Sequence, residues 1–382
     1  MTASPKPRVL HLTSTARIGG TERNVLRLFE NRGDGLFDYA VAAMEPEGPF
    51  LDAARSLGVP VWGLPSPHPL SLATRRRLLD IMRGGSFQIV HAYGLRADIL
   101  GRPLARRAGV PRFVSAIRSP DPWRRLHHVL LDRLTARYWP VDLFISNSEA
   151  GKRSRVEREK FPPDRIVVIP NGVEIPQGPA NRQFRPSPEA AALRRSLGLP
   201  TDAGPLIAVV SNLRPAKGHI DMIEALARVV GSFPKALALM AGRDDSAGAI
   251  PALARAKGLA DSARFLGYVP DPLPLMRLCD VYCMPSHWEG CPTALMEAMA
   301  LACPVVATRV GGIPEILDHE RTGLLCPAKN PESLAEALLR LLDNEKLAES
   351  LAQAARKEVE NRFTLERMIQ EIEQNYTRLL RP

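Results

Sequence analysis

Short β-branched runs alternate with amphipathic segments along most of this chain, and they do so in two series. RVLHLTS, DYAVAAM, VPVWGLP, FQIVHAYG, RFVSAIRS, DLFISNS and RIVVIPNG form the first, with helical patterns such as TRRRLLDIMRGG and ADILGRPLARRAG between them. The stretch IPQGPANRQFRPSPEAAALRRSLGLPTDAG then shifts to Pro, Gly and Ser around one short helix. PLIAVVSNLRPAKGHIDMIEALARVV starts the series again. Strands that alternate with helices imply parallel, doubly wound sheets. A length of 382 residues is too great for one ordinary domain. The pattern predicts a Rossmann-like domain over 1–174, a linker over 175–204, a second Rossmann-like domain over 205–362 and a terminal helix over 363–382. Ligands of such sheets bind at the carboxyl ends of the strands. Tyr93, Arg118, Asn147 and Asn171 all fall at such ends.

Residues 285–314, PSHWEGCPTALMEAMALACPVVATRVGGIP, read as loop, helix, buried strand and a second tight turn. Pro292 suits the first turn of a helix, and Pro304 closes the segment before the strand PVVAT. Glu289 then lies in the loop ahead of the helix, and Glu297 about one and a half turns inside it. Thr293 and Glu297, four apart, share a face. First-turn N–H groups have no internal partner and carry the positive end of the macrodipole, so they suit an anion. Gly290 lets a phosphate approach the backbone closely. Two carboxylates beside a phosphate site fit a ligand with hydroxyls on both sides, as in a nucleoside diphosphate sugar. The plainer alternative makes Glu289 a helix cap and Glu297 a solvated helical residue. The apolar neighbours Ala294, Leu295, Ala298 and Met299 leave little exposed face and favour the functional reading.

In SNLRPAKGH, Arg214 and Lys217 lie in the loop before a helix, where two cations would clamp a diphosphate. A solvated loop carries the same residues as readily. Gly19 and Gly20 turn strand one into helix one, where α/β folds bind phosphates. The dinucleotide pattern G-x-G-x-x-G is missing there, which disfavours nicotinamide chemistry.

EGCPTALMEAMA resembles the Glu-(seven residues)-Glu signature of retaining GT-B glycosyltransferases, glycosyltransferase family 4 in particular, and PVVATRVGGIPEIL continues the likeness. The resemblance runs from about residue 8 to 380. It implies two Rossmann-like domains facing across a cleft, with the C-terminal helix crossing back onto the first. It implies a donor site of Glu289, Gly290, Cys291, Pro292, Thr293 and Glu297, with backbone at Gly267, Tyr268 and Val269 near the nucleobase and Gly19 and Gly20 facing the reaction centre. Glu289, Arg214 and Lys217 would carry catalysis. The family's usual Arg position holds Asn212 here, so Arg214 is taken to replace it. Two family histidines are also replaced, by Tyr93 and Arg118. Arg cannot act as a base at neutral pH but grips phosphate or carboxylate, on a donor or a charged acceptor.

Five cysteines, odd in number and in apolar contexts, read as reduced core thiols. No Asp-x-Asp or clustered His occurs, so no metal or other cofactor is expected, the nucleoside diphosphate sugar being a co-substrate. No apolar run reaches the ~18 residues that span a bilayer, and the N-terminus lacks a signal-peptide core. The expectation is a cytoplasmic protein, peripheral at the inner face of the membrane. Residues 1–174 hold 27 Lys/Arg against 17 Asp/Glu, whereas 175–382 hold 24 of each. That asymmetry points to an anionic partner, a lipid surface or a lipid-linked or glycan acceptor. Nucleic acid is disfavoured because aromatics do not interleave with the basic runs. The predicted function is metal-independent retaining sugar transfer in envelope polysaccharide or lipid-linked glycan assembly. A sugar-nucleotide-binding scaffold is the alternative, and a GT-B epimerase is a third that the Glu pair argues against.

Overall fold

The computed structural model describes residues 6–31, 35–66, 68, 71–120, 124–177, 187–200 and 203–381. The chain divides into two compact units, Met1–Gly172 with Leu365–Pro382, and Val173–Thr364. In the first, β1 (Arg8–Thr13), α1 (Gly20–Glu30), β2 (Asp38–Ala43), α2 (Pro49–Ser56), β3 (Val61–Gly63), α3 (Leu72–Gly84) and β4 (Ile89–Tyr93) follow in order. Then come α4 (Leu95–Ala108), β5 (Arg112–Ile117), α5 (Leu126–Tyr138), β6 (Leu143–Ser146), α6 (Glu149–Arg158) and β7 (Ile166–Val168). The second unit holds α7 (Pro188–Ser196), β8 (Leu206–Val210), α8 (His219–Ser232), β9 (Leu237–Ala241), α9 (Ala249–Ala256), β10 (Ala263–Gly267), α10 (Leu273–Leu278) and β11 (Val281–Met284). It ends with α11 (Thr293–Ala300), β12 (Val305–Thr308), α12 (Ile313–Ile316), β13 (Leu324–Cys326), α13 (Pro331–Asp343) and α14 (Glu345–Arg362). The last helix, α15 (Leu365–Leu380), belongs to the first unit.

Both sheets are parallel. The first has the order β3-β2-β1-β4-β5-β6-β7 and the second β10-β9-β8-β11-β12-β13. Helices cover both faces of each sheet, so the strands are apolar on both sides rather than alternating, as in LIAVV and LALMA. In the first unit Val9 packs with α1, α2 and α15, while Leu10 and Leu12 face α3 and α4. Strand order reverses direction between β1 and β4 in one unit and between β8 and β11 in the other. These switch points open a crevice at the strands' carboxyl ends, where no crossover covers the edge.

Of residues 175–204, positions 178–186 and 201–202 lie outside the described residues. Helix α7 within that stretch buries Ala190 against the second unit's core, with Leu193 and Leu197 packed beside it. Helix α15 closes the first sheet: Tyr376 is fully buried, its hydroxyl 2.6 Å from His91 Nδ1, and Tyr39 donates to Glu373 at 2.7 Å. All five cysteines are buried, and none forms a disulfide. Among the described residues no helix is long and apolar enough to cross a membrane.

Candidate active site

The second unit's switch point gathers the residues of the Glu–Glu stretch with those of the loop after β8. Lys217 Nζ lies 2.6 Å from Glu289 Oε1, which also accepts from Ser286 Oγ at 2.7 Å. Sequence separation between the two charges is 72 residues, and backbone contacts fix it. His287 N–H donates to the Ala216 carbonyl at 2.8 Å, tying the loop that carries Glu289 to the turn that carries Lys217. Gly218 has φ +64°, and a Cβ there would sit 1.8 Å from the Pro285 carbonyl oxygen. Gly311, at φ +51°, lies against the Glu289 carbonyl, which a Cβ would approach to 1.9 Å. Only glycine fits such left-handed, close-packed positions. The Gly311–Gly312 turn is thus a wall of the site, a role that a plain turn reading of the sequence misses.

Glu297 is buried on α11, whose first turn begins one residue later than expected: Pro292 is the N-cap, with Thr293 half-buried just inside. Extended ψ at Pro292 leaves it outside the helix while still setting the entry angle of the chain. Gly290 and Cys291 are buried beside it. Tyr282 is fully buried and its hydroxyl has no hydrogen-bond partner. Burial, then the charges of Glu289 and Glu297, push its ionisation well above the ordinary phenol range. Both carboxylates therefore lie within electrostatic reach of one buried, neutral hydroxyl.

Arg214 and Asn212 have other engagements. Arg214 Nε pairs with Asp245, with the Arg side chain half-exposed, whereas Asn212 Oδ1 accepts from the Arg243 N–H at 3.1 Å and fastens the β8 loop to the β9 loop. Lys217 is thus the cation that the structure joins to Glu289, while Arg214 has its Nε on Asp245. His219, at the start of α8, is buried, its imidazole depressed to about 4 by burial and then by Lys217. Gly267 ends β10 with φ +67°, Tyr268 is exposed, and Val269 packs on the core.

The first unit's candidates collect at the ends of its strands. Arg118 Nη2 donates to Asn171 Oδ1 at 2.7 Å, and Asn147 Nδ2 to the Arg118 carbonyl at 3.0 Å. Gly19 N–H donates to the Glu22 carboxylate at 3.1 Å; burial raises that carboxyl's pKa. Gly20 opens α1 with no side-chain neighbour to obstruct it. Tyr93 lines the same region, but its hydroxyl points into the core, 3.0 Å from both His11 Nδ1 and His91 Nδ1. Burial depresses His11 to about 3 and His91 well below the ordinary range, so both are neutral.

A cavity of about 210 Å³ opens here, lined among others by Glu22, Tyr93, Asp98, Arg118, Arg124 and Asp132. Behind it Arg102 binds Asp132 at 2.6 Å and Asp98 at 3.5 Å, and Arg124 binds Asp132 at 2.6 Å and Glu159 at 2.9 Å. Burial would raise the Asp132 carboxyl, but Arg102 and Arg124 hold it low; burial raises Asp98 to about 7 against the pull of Arg102. Sequence reasoning counted these arginines only within the basic excess of residues 1–174 and missed this network. The spacings of four in Asp98–Arg102 and Arg155–Glu159 were its local signals. Among the described residues no group of three or more His, Cys, Asp or Glu side chains is placed to share a metal ion.

Comparison with known proteins decides the family. The model described as Glycosyltransferase Family 4 matches residues 18–176, and that described as Glycosyl transferases group 1 matches 191–358. D-inositol 3-phosphate glycosyltransferase of Saccharomonospora viridis is 31% identical over 318 residues, 78% of this chain and 70% of that one. This chain belongs to glycosyltransferase family 4. The enzyme of the same name from Acidothermus cellulolyticus is 31% identical over 68% of this chain, and the match spans 60% of that relative's length. Over nearly full length, 97% of both chains, this family member is 23% identical to the UDP-Gal:alpha-D-GlcNAc-diphosphoundecaprenol alpha-1,3-galactosyltransferase of Escherichia coli. Its fold matches Anabaena HepE, solved in complex with UDP and glucose, with TM-score 0.84 at 21% identity over 97% of this chain and 99% of that one. The architecture is GT-B, two Rossmann-like parallel-sheet domains.

Proposed function

We propose that the chain is a retaining, metal-independent glycosyltransferase that moves a sugar from a nucleoside diphosphate sugar to a hydroxyl of a glycan or lipid-linked acceptor. Envelope polysaccharide or lipid-linked glycan assembly, at the inner face of the cell membrane, is the setting. The observation that carries it is the Lys217–Glu289 pair at the β8/β11 switch point, with Glu297 buried on the adjoining helix. Lys217 has three N–H donors and spends one on Glu289, leaving the others for a diphosphate oxygen. First-turn N–H groups of α11 add positive potential without reorganisation, and together they oppose the charge that grows on the leaving diphosphate. Glu297 would take ribose hydroxyls and Glu289 sugar hydroxyls; a carboxylate held by Lys217 and Ser286 is already aimed. Arg118, Asn147 and Asn171 would contact the acceptor, with Tyr93 supplying ring surface. A UDP-linked sugar is the first donor to test, given what the E. coli relative's name and the HepE complex contain.

Thermal shift with UDP-, GDP- and ADP-sugars identifies the donor, and NMR of the anomeric proton of product reports whether configuration is retained. Turnover unchanged by EDTA supports metal independence, and an obligatory divalent ion overturns it. Glu297→Ala should abolish transfer in a protein that still melts cooperatively; full activity removes the site assignment. A second reading, sugar-nucleotide binding without turnover, draws on Tyr93 and Arg118. The Tyr93 hydroxyl is held by two histidines and Arg118 by Asn171, so neither supplies a base. A donor-induced shift with no product on any acceptor would favour it.

A further inference from the structure

Helix α5 is inside out. The side chains it buries are Val129, Asp132 and Thr135, and two of those are polar. Asp132 and Thr135 both accept from Arg102, at 2.6 and 2.9 Å, so the helix is anchored by charge rather than by its apolar residues. Its leucines point outward. Leu126, Leu130, Leu131, Leu134 and Tyr138 are 45% to 73% exposed and make five of the nine large hydrophobic side chains exposed among the described residues. At about 100° per residue they occupy an arc of about 140°, opposite the buried face. Monomeric proteins seldom leave a contiguous stripe of this kind uncovered.

We propose that this face of α5 docks on an anionic lipid bilayer, with the helix lying in the plane of the interface. Charge chooses the occupant. Arg133 and Arg137 are exposed on the same helix and Arg125 at its N-cap, and its single acid, Asp132, is buried and committed. The neighbouring α4 likewise exposes Arg96, Arg106 and Arg107 and buries its acid, Asp98. Leucines sink into the acyl boundary while arginines at the stripe's edge reach the headgroup phosphates. A second copy of the chain would bring the same arginines against one another, which disfavours a self-complementary dimer. Thirteen residues make a helix of about 20 Å, too short to span and long enough to lie flat. Because α5 also contributes Asp132 to the wall of the cavity, docking would hold that cavity within about one helix diameter of the lipid. This deepens the lipid-linked-acceptor reading above, yet vesicle binding measures docking alone and donor turnover measures transfer, so either can fail without the other.

The test is sedimentation of the full chain with phosphatidylcholine vesicles, with and without phosphatidylglycerol. Wild type is expected to bind the anionic vesicles and to lose binding as salt rises. Leu130→Ser with Leu134→Ser, and separately Arg133→Ser with Arg137→Ser, should each lower partitioning by about tenfold or more. A donor-induced thermal shift equal to wild type shows that each variant is folded, and hydrogen exchange of wild type should show α5 protected when anionic vesicles are added. Failure to bind anionic vesicles, undiminished binding by the leucine variant, or a wild-type dimer that the leucine variant converts to monomer would each overturn the proposal.

Discussion

Helices α5 and α11 carry similar amounts of apolar side chain and use them in opposite ways. In α11 six of eight residues are buried, Leu295, Met296, Ala298, Met299 and Ala300 among them, and one carboxylate, Glu297, goes in with them. In α5 the carboxylate is the anchor and the leucines are left outside. The buried acid in α11 is proposed above as a ligand group for its place in the same loop–helix stretch as Glu289, which Lys217 holds. The buried acid in α5 holds two arginines and so holds the helix. Burial of charge alone does not separate the two roles; place in the fold does.

The largest effect should break α5 and spare α11. Asp132→Ala leaves Arg102 and Arg124 buried beside an empty position and should cost the first unit about 3–5 kcal/mol. Hydrogen exchange would show α5 deprotected while the second unit's strands keep their protection; uniform loss would mean the charges serve no local anchor. Lys217→Ala should do the reverse, lowering transfer by about 10²–10³-fold with little change in melting, because its partner Glu289 keeps Ser286 and water. Melting that drops as steeply as activity would make the Lys217–Glu289 pair structural.

A third contrast uses protons. His219 is held neutral to about 4 in the folded protein, whereas the unfolded chain binds a proton near 6.5. The folded state therefore binds fewer protons in that window. Stability present above pH 6.5 is lost as pH falls, by about 2 kcal/mol at pH 5. His219→Asn should flatten the second unit's acid slope between pH 6.5 and 5 in urea melts, and an unchanged slope would place the acid sensitivity elsewhere. The smallest effect expected is Tyr93→Phe, which removes the hydroxyl between His11 and His91 at about 1 kcal/mol. Turnover should stay near wild type; a large fall would mean that the hydroxyl leaves its histidines during the reaction.

Much of the second unit was legible because its signals are local. Alternation of LIAVV, LALMA and PVVAT with helices gave the parallel sheet, and Thr293 and Glu297 lie on one helix by spacing alone. Legibility ended where a side chain's partner is remote. Asn212 stands at the family's Arg position and Arg214 was taken to replace it, and only the β9 loop shows that one fastens to Arg243 and the other to Asp245. Tyr93 looked like a residue aimed at a ligand. Its hydroxyl answers instead to His11, 82 residues away.

The amino-acid order by itself determined which elements form, that they alternate as parallel sheets require, and that Glu289 and Glu297 flank a helix start, because propensity, turn chemistry and periodicity act over a few residues. Tertiary structure alone decided which stripe of α5 faces inward. Periodicity fixes two faces relative to each other and is indifferent to which one meets the core; that choice was made by Arg102, thirty residues upstream of the aspartate it holds.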